Sequence, residues 1–64
     1  MLESALVILK LQGERPDYQK IESEITSLSG VLEVRINHTT NKIMVRYDPQ
    51  FQNLESIRER LGLL

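Results

Sequence analysis

The acidic side chains that follow the first apolar run are the residues most able to do chemistry in this chain. In the stretch LQGERPDYQKIE, Glu14 and Asp17 lie three positions apart, with Arg15 and Pro16 between them. Carboxylates suit hard cations such as Mg²⁺, Ca²⁺, Mn²⁺ or iron, although the arginine competes for them. Three interpretations stay open: a turn in which Pro16 and Asp17 only start a helix, which we favour, a hard-cation site at Glu14 and Asp17, and a loop that docks a peptide.

Other catalytic or cofactor chemistry has little support in the sequence. The chain has no cysteine, which excludes disulfides and thiolate metal sites. The single histidine, His38, lies in a predicted hairpin loop without an acidic neighbour and is expected to be an exposed turn residue. No catalytic triad, phosphate loop or nucleophile elbow is present. We therefore expect a protein that is not an enzyme and holds no cofactor.

Length and charge indicate one small domain, residues 1–64, with few classes of partner. A chain this short buries only about 60% of the surface that its unfolded form exposes, so it usually needs a metal, a partner or a second copy. The net charge of -1 gives no basic field for nucleic acid or anionic lipid. The longest apolar run, Ala5 to Leu9, is far below the ~20 residues of a membrane helix. We expect a cytoplasmic location.

The spacing of apolar residues predicts the element order β-α-β-β-α. Strands are predicted over 4–12, 31–37 and 42–47, the last two forming a hairpin. In the strand at 31–37, the alternation predicts Leu32, Val34 and Ile36 on one face.

Two amphipathic helices are predicted between and after these strands. The first begins near Pro16, has Asp17 in its first turn and ends at Ser29-Gly30. The second begins at the cap residue Asn53. Their apolar faces are predicted to hold Tyr18, Ile21, Ile25 and Leu28 in the first helix and Leu54, Ile57 and Leu61 in the second.

Four short pieces of the chain resemble a known family. They are Gly30-Val31, Asn41-Lys42, Tyr47-Asp48-Pro49 and Leu61-Gly62. With them, the stretch 6–62 resembles the heavy-metal-associated (HMA) domain of copper chaperones and copper-transporting P-type ATPases. The resemblance implies an α+β, ferredoxin-like βαββαβ fold, with two helices on one face of an antiparallel sheet of strand order 4-1-3-2. Because the chain reaches only Leu64, we expect the fourth strand to be truncated or absent.

The metal clamp of the HMA family has no counterpart here. That clamp is GMTCxxC, at the junction of the first strand and first helix, and two thiolates there bind Cu(I) or Zn(II). Alignment on Gly13 places Pro16 and Gln19 at the cysteine positions, whereas alignment on the helix places Glu14 and Asp17 there. The resemblance therefore implies the fold without soft-metal transfer.

The missing fourth strand leads to an expectation about the first one. In the implied strand order, the absence of the fourth strand leaves the first strand at the edge of the sheet, where its unpaired backbone groups are a template for another strand. No charge or proline, which would protect such an edge, occurs in this strand before Lys10. If Val7, Leu9 and Leu11 face the helices, Leu6 and Ile8 face the other way, together with Met44. These could be scattered surface apolar residues, but we favour an edge and a face that are covered in the working state by a second copy, a tail or a sister domain.

The sequence thus predicts a non-catalytic module for self-association or partner binding. The backbone from Ala5 to Leu11 is expected to pair with another strand, and the predicted interface residues are Ala5, Leu6, Val7, Ile8, Leu9 and Met44. Two copies would pair their first strands into a six-stranded sheet or meet through the bare face. A metal-transport protein is another expected partner, whereas nucleic acid and membrane insertion are not expected. The competing function is metal-ion binding through Glu14 and Asp17.

Overall fold

The computed structural model describes residues 3–64, and Met1 and Leu2 lie outside the described residues. The five elements occur in the predicted order. They are β1 (Ala5–Lys10), α1 (Tyr18–Thr26), β2 (Val31–Asn37), β3 (Lys42–Tyr47) and α2 (Leu54–Gly62). β2 and β3 have the predicted bounds, and β1 is shorter than predicted at both ends.

The three strands form one antiparallel sheet with β3 in the centre, in the order β1-β3-β2. Val7 and Val34 both lie opposite Val45, which fixes the register of the whole sheet. α1 lies against β2, and α2 lies beside α1, on the side of the sheet towards β1. The predicted ferredoxin-like architecture is confirmed, and within residues 3–64 both β1 and β2 are edge strands.

The first helix begins at Tyr18, two residues after Pro16, where the sequence predicts its start. Asp17 is not in the first turn but is the N-cap, and its Oδ1 accepts the backbone N–H of Lys20 at 3.1 Å. This bond satisfies one of the free N–H groups at the start of the helix. The helix also ends early, at Thr26, because Leu28 N–H turns back to the carbonyl of Ile25 and the chain tightens before it enters β2.

The second helix begins where the sequence predicts. Asn53 is its N-cap, and its side chain accepts the backbone N–H of Ser56 at 2.8 Å. The predicted apolar face is confirmed at Ile57, which is fully buried.

The core lies between the helices and one face of the sheet. Its buried members come from α1, β3 and α2 and from the loop after β1. They are Leu11, Ile21, Ile25, Ile43, Val45 and Ile57. Val7 and Leu9 of β1 and Val34 and Ile36 of β2 pack against this cluster. The side-chain alternation predicted for β1 is therefore confirmed.

The alternation predicted for β2 is wrong at Leu32. The strand carries a bulge: Val31 lies opposite Tyr47 and Glu33 lies opposite Arg46, so Leu32 has no partner in the register. A bulge inserts one extra residue and changes the face on which the preceding residues lie. Leu32 is consequently 56% exposed.

Candidate functional site

The two carboxylates singled out in the loop after β1 lie on the surface. Glu14 and Asp17 are both exposed, and Asp17 already accepts a backbone hydrogen bond as the helix N-cap. Within residues 3–64, no three side chains of the types His, Cys, Asp or Glu lie where they could hold a metal ion together. The geometry gives Asp17 a structural role, and the carboxylate metal site stays a prediction.

The junction of β1 and α1 is held by a side chain from the β2–β3 hairpin. Asn41 donates from Nδ2 to the carbonyls of Leu11, at 3.0 Å, and Gly13, at 3.2 Å. Its Oδ1 accepts the hydroxyl of Tyr18 at 2.8 Å. In addition, Leu11 N–H donates to the Asn41 carbonyl at 2.8 Å. This set of bonds, the Asn41 latch, fixes the backbone where the HMA family places its metal clamp.

The hairpin also reaches α1 through an aromatic contact that the sequence did not predict. The rings of Tyr18 and His38 stack with centroids 4.2 Å apart and an interplanar angle of 10°. His38 is exposed, as predicted, and its ring covers one side of Tyr18. The histidine therefore supports the latch.

The sheet face away from the helices has an apolar half and a charged half. On the β1 side, Leu6 is 55% exposed and Ile8 is 61% exposed. Ile8 lies opposite the half-buried Met44 of β3. We call Leu6, Ile8 and Met44 the apolar strip. The structure places all three on the open face, as the sequence predicted.

The charged half of the open face lies along β2. Glu33 bonds Arg35 at 3.1 Å and lies 3.8 Å from Arg46. Both ion pairs are exposed, so each stabilises the fold by less than about 1 kcal/mol. Their main effect is to make the β2 side of this face charged, although the exposed Leu32 lies beside Glu33 and Arg46.

The free edge of β1 presents a defined set of backbone groups. Leu11 directs its N–H and carbonyl towards Asn41 of the hairpin. Successive residues of an antiparallel strand direct these groups to alternate sides. Leu6, Ile8 and Lys10 therefore direct theirs outward, where no strand within residues 3–64 lies beside β1. Ala5, Val7 and Leu9 direct theirs towards β3.

A groove of about 410 Å³ adjoins this edge, between the end of β1, the start of α1 and the end of α2. Its floor is apolar and includes Leu9, Leu11, Ile21 and Leu61. The groove lies where a ferredoxin-like fold has its fourth strand, beside the edge of β1 and beneath the end of α2.

Three cations line the groove, and the sequence gave no indication that they lie together. They are Lys10, Lys20 and Arg58, and none of them belongs to the ion pairs found within residues 3–64. Lys20 has Glu24 four residues ahead on α1, a spacing that predicts an ion pair. In the structure Glu24 instead bonds Arg60 of α2, at 3.4 Å, which leaves Lys20 free.

Fold and site together define an HMA-like, ferredoxin-like domain with a cysteine-free junction in place of the thiolate clamp. No helix within residues 3–64 has both the length and the apolar character needed to cross a membrane.

Two solved structures share this fold. The crystal structure of oxidized MerP from Ralstonia metallidurans CH34 superposes with a TM-score of 0.81 at 17% identity, over 91% of this chain and 83% of MerP. The solution structure of a copper form of a CopA variant from Bacillus subtilis gives a TM-score of 0.77 at 24% identity, over 98% of this chain and 87% of that one. The HMA resemblance is therefore confirmed at the level of the fold. No family model matches the chain, and no curated protein matches it by sequence.

Proposed function

We propose that this domain is a non-catalytic association module with an HMA-like fold, and that two copies meet through their open sheet faces at the apolar strip. The observation that carries the proposal is the exposure of Leu6 and Ile8, side by side on β1 next to Met44. An open face of an antiparallel sheet is normally polar. Here its β1 half is apolar, although the core lies on the other face.

The open face suits a second copy better than the β1 edge does. Neighbouring strands lie about 4.8 Å apart, whereas packed helices need about 8–10 Å. Since Arg58 and Leu61 of α2 line the groove at the edge, a copy that paired its own β1 there would bring a second α2 over the same two strands. Packing the two open faces together avoids this overlap, because both helices of each copy lie on the outside.

The contact would resemble a small β-sandwich. Two sheets pack about 10 Å apart with their strands roughly 30° from parallel. The strip then lies in the centre, and the cluster of Glu33, Arg35 and Arg46 lies at the rim, where the charges stay hydrated. A face of three short strands is smaller than a standard interface of ~800 Å² per partner. We therefore expect a dissociation constant in the micromolar range, which corresponds to a binding free energy on the order of -8 kcal/mol.

The absence of a thiolate clamp separates this proposal from metal transfer. The chain has no cysteine, and the junction that carries the clamp in the HMA family is closed by the Asn41 latch. The likeness to MerP and to a copper form of CopA supports a role beside a metal-transport system, as an accessory domain that does not carry the ion itself. A cytoplasmic location is part of the same proposal.

The test is the mass of the particle in solution at several concentrations. We expect the wild type to be dimeric at ~100 μM and to dissociate on dilution through the micromolar range, measured by sedimentation velocity. Ile8→Glu places a charge in the strip and should give a monomer at every concentration. Phe51→Glu is the matched control, because Phe51 is 69% exposed but lies in the loop before α2. It should leave the dimer intact.

Either of two results contradicts the proposal. One is a folded wild-type monomer at ~100 μM. The other is an Ile8→Glu variant that is folded by circular dichroism and as dimeric as the wild type.

A further inference from the structure

The open face of the sheet carries an excess of positive charge. Residues that lie opposite one another on paired strands share a face, so the register assigns each paired residue to one face. Glu33 is the one carboxylate that the three strands place on the open face. Four cations lie there as well, and they are Lys10, Arg35, Lys42 and Arg46. The strands therefore give this face three more positive charges than negative ones.

The rest of the chain has the opposite charge. The whole chain contains 8 lysine and arginine residues and 9 aspartate and glutamate residues. With those of the open face set aside, four cations and eight acids remain. Positive charge is thus concentrated on the same surface on which Leu6 and Ile8 are exposed.

Two of the cations on the open face lie next to each other without a counter-charge. Lys10 of β1 is directly opposite Lys42 of β3, and both are exposed. Neither takes part in an ion pair within residues 3–64. Like charges directly opposite on paired strands are destabilising. A carboxylate bound between the two lysines would remove this repulsion.

We propose that the open face binds an acidic amphipathic helix of a partner protein. The apolar residues of this helix cover Leu6, Ile8 and Met44, and its carboxylates reach Lys10 and Lys42. The inference rests on the proposed function, since it names a second partner for the same face. The helix takes the place of the second copy when both compete.

Charge favours an acidic helix over a second copy of the domain. Two open faces in contact bring together surfaces of the same sign, and such a juxtaposition weakens association. A helix with carboxylates beside its apolar stripe makes contacts of opposite sign with the same face. Specificity is a difference between the affinities for two partners, and repulsion between copies supplies part of that difference here.

The dimensions of the open face fit a single helix. Three strands with the six-residue length of β1 and β3 present a surface of roughly 14 Å by 20 Å. A helix with its side chains is about 10–12 Å wide, and about 14 residues of it are roughly 21 Å long. One amphipathic helix of that length covers the apolar strip and leaves its flanks beside the cations.

The apolar and cationic residues of the face also share one concavity. A depression of about 530 Å³ lies on the open face at the end that leads into the β2–β3 hairpin. Ile8 and Met44 line it together with Arg35 and Lys42. No acidic residue within residues 3–64 lines it. An apolar side chain and a carboxylate from neighbouring turns of one helix can therefore lie in it side by side.

A single-stranded nucleic acid is also negative, but the face lacks the side chains that bind its bases. Such ligands stack their bases on aromatic rings. Tyr47 is the one aromatic residue of the three strands. It follows the alternation of Ile43 and Val45, which are buried in the core, so its ring is not on the open face. An oligonucleotide is therefore a comparison ligand in the test.

The test uses a fluorescent, end-capped peptide of about 14 residues, with leucine at helical spacing, glutamate beside the leucines and alanine elsewhere. Its binding to the domain is measured by anisotropy, and the dimer is measured in parallel by sedimentation velocity. We expect micromolar peptide binding that weakens as salt is raised, and a dimer that strengthens, because salt screens attraction and repulsion alike. Saturating peptide should dissociate the dimer.

One double variant should move the two affinities in opposite directions. Lys10→Gln with Lys42→Gln removes attraction for the peptide and should weaken its binding by roughly tenfold. The same change removes repulsion between copies and should strengthen the dimer by roughly threefold or more. The matched control is Lys20→Gln with Arg58→Gln, which removes two exposed charges from the helices. It should change either affinity by less than about twofold.

Four results overturn the inference. They are equal binding of a peptide with lysine in place of glutamate, equal or tighter binding of a single-stranded oligonucleotide with the same net charge, equal effects of the two double variants on the peptide, and a dimer that saturating peptide leaves intact. Failure of the proposed function gives a different result, a wild type that is monomeric at ~100 μM without peptide. Peptide binding and the double variants still decide the inference in that case.

Discussion

The two edges of the sheet differ in how they are protected against other strands. β2 has a bulge between Val31 and Glu33, and it carries the ion pair of Glu33 with Arg35 at 3.1 Å. β1 has an unbroken register and no charged residue before Lys10. Bulges and charges are the means by which natural sheets prevent edge pairing.

The difference indicates which edge can take part in binding. Both strands pair with the same central strand and have similar lengths, so their position in the sheet does not account for it. The bulge and the ion pair disfavour the addition of another strand at β2, whereas β1 has neither feature. The groove with its three cations lies beside β1 and not beside β2.

The largest predicted effect concerns the glycines that flank the two edges. Gly30 precedes β2 with φ +84°, and a Cβ there would lie 2.9 Å from Cβ of Phe51. Gly13 follows β1 with φ +93°, and nothing lies within 4 Å of its would-be Cβ. Gly30→Ala should lower the free energy of unfolding by roughly 2–4 kcal/mol, and Gly13→Ala by only about 1 kcal/mol. Urea denaturation measures both, and equal losses would show that contact with Phe51 has no effect.

A second prediction compares two asparagines of the same hairpin. Asn41 ties the end of β1 through two donated bonds and one accepted bond. Asn37, at the end of β2, accepts only from Thr39 and Thr40 of its own turn. Asn41→Ala should cost about 2 kcal/mol of unfolding free energy and Asn37→Ala about 1 kcal/mol.

The location of the loss distinguishes the two variants further. Hydrogen exchange at Leu11 should speed up in Asn41→Ala only. Loss of the side-chain bonds to the carbonyls of Leu11 and Gly13 loosens the end of β1, and with it the bond from Leu11 N–H to the backbone carbonyl of residue 41. A similar increase in Asn37→Ala would mean that the hairpin acts as one unit and that the latch is not specific to β1.

A third prediction removes the difference between the edges. Glu33→Val combined with Arg35→Val makes β2 apolar, with no change in net charge. We expect association to strengthen by about tenfold, or about 1.4 kcal/mol, and larger species to appear in light scattering. The control is Arg15→Val with Glu22→Val, which changes the same residue types at exposed positions off the sheet. Equal association of the two double variants would show that added hydrophobicity alone is responsible.

The smallest predicted effect concerns the one carboxylate of the groove beside β1. Asp17→Ala should lower the free energy of unfolding by about 1 kcal/mol through loss of the N-cap, and Glu14→Ala should change it by less than about 0.5 kcal/mol. Calorimetric titration with Mn²⁺ or Fe²⁺ tests the competing metal function. Micromolar binding by the wild type that is lost when both residues are replaced would favour that function over ours.

The sequence predicts the fold well because the local patterns of apolar residues and helix caps favour the same elements that the folded chain forms. Period-two alternation locates β2 and β3, and the cap residue Asn53 locates the start of α2. The bulge at Leu32 is missed because nothing in the stretch VLEVRIN marks an extra residue. A bulge is set by how a strand fits its neighbour, which the alternation of a single strand does not contain.

The sequence predicts some features of the candidate site and misses others. Exposure of Leu6 and Ile8 follows from alternation in β1, and the structure confirms it. The Asn41 latch joins residues that are 23 to 30 positions apart, and no pattern of nearby residues specifies such a pairing. The same is true of Lys20, whose expected partner Glu24 bonds Arg60 instead.

By itself, the sequence determined the order of the elements, the apolar faces that build the core, and the lack of thiolate ligands. These depend on residue type and on spacing along the chain. Only the tertiary structure decided that β2 is a protected edge, that Asn41 closes the junction after β1, and that Lys10, Lys20 and Arg58 line one groove. Each of these depends on where separate elements come to lie against one another, and folding alone brings such distant residues into contact.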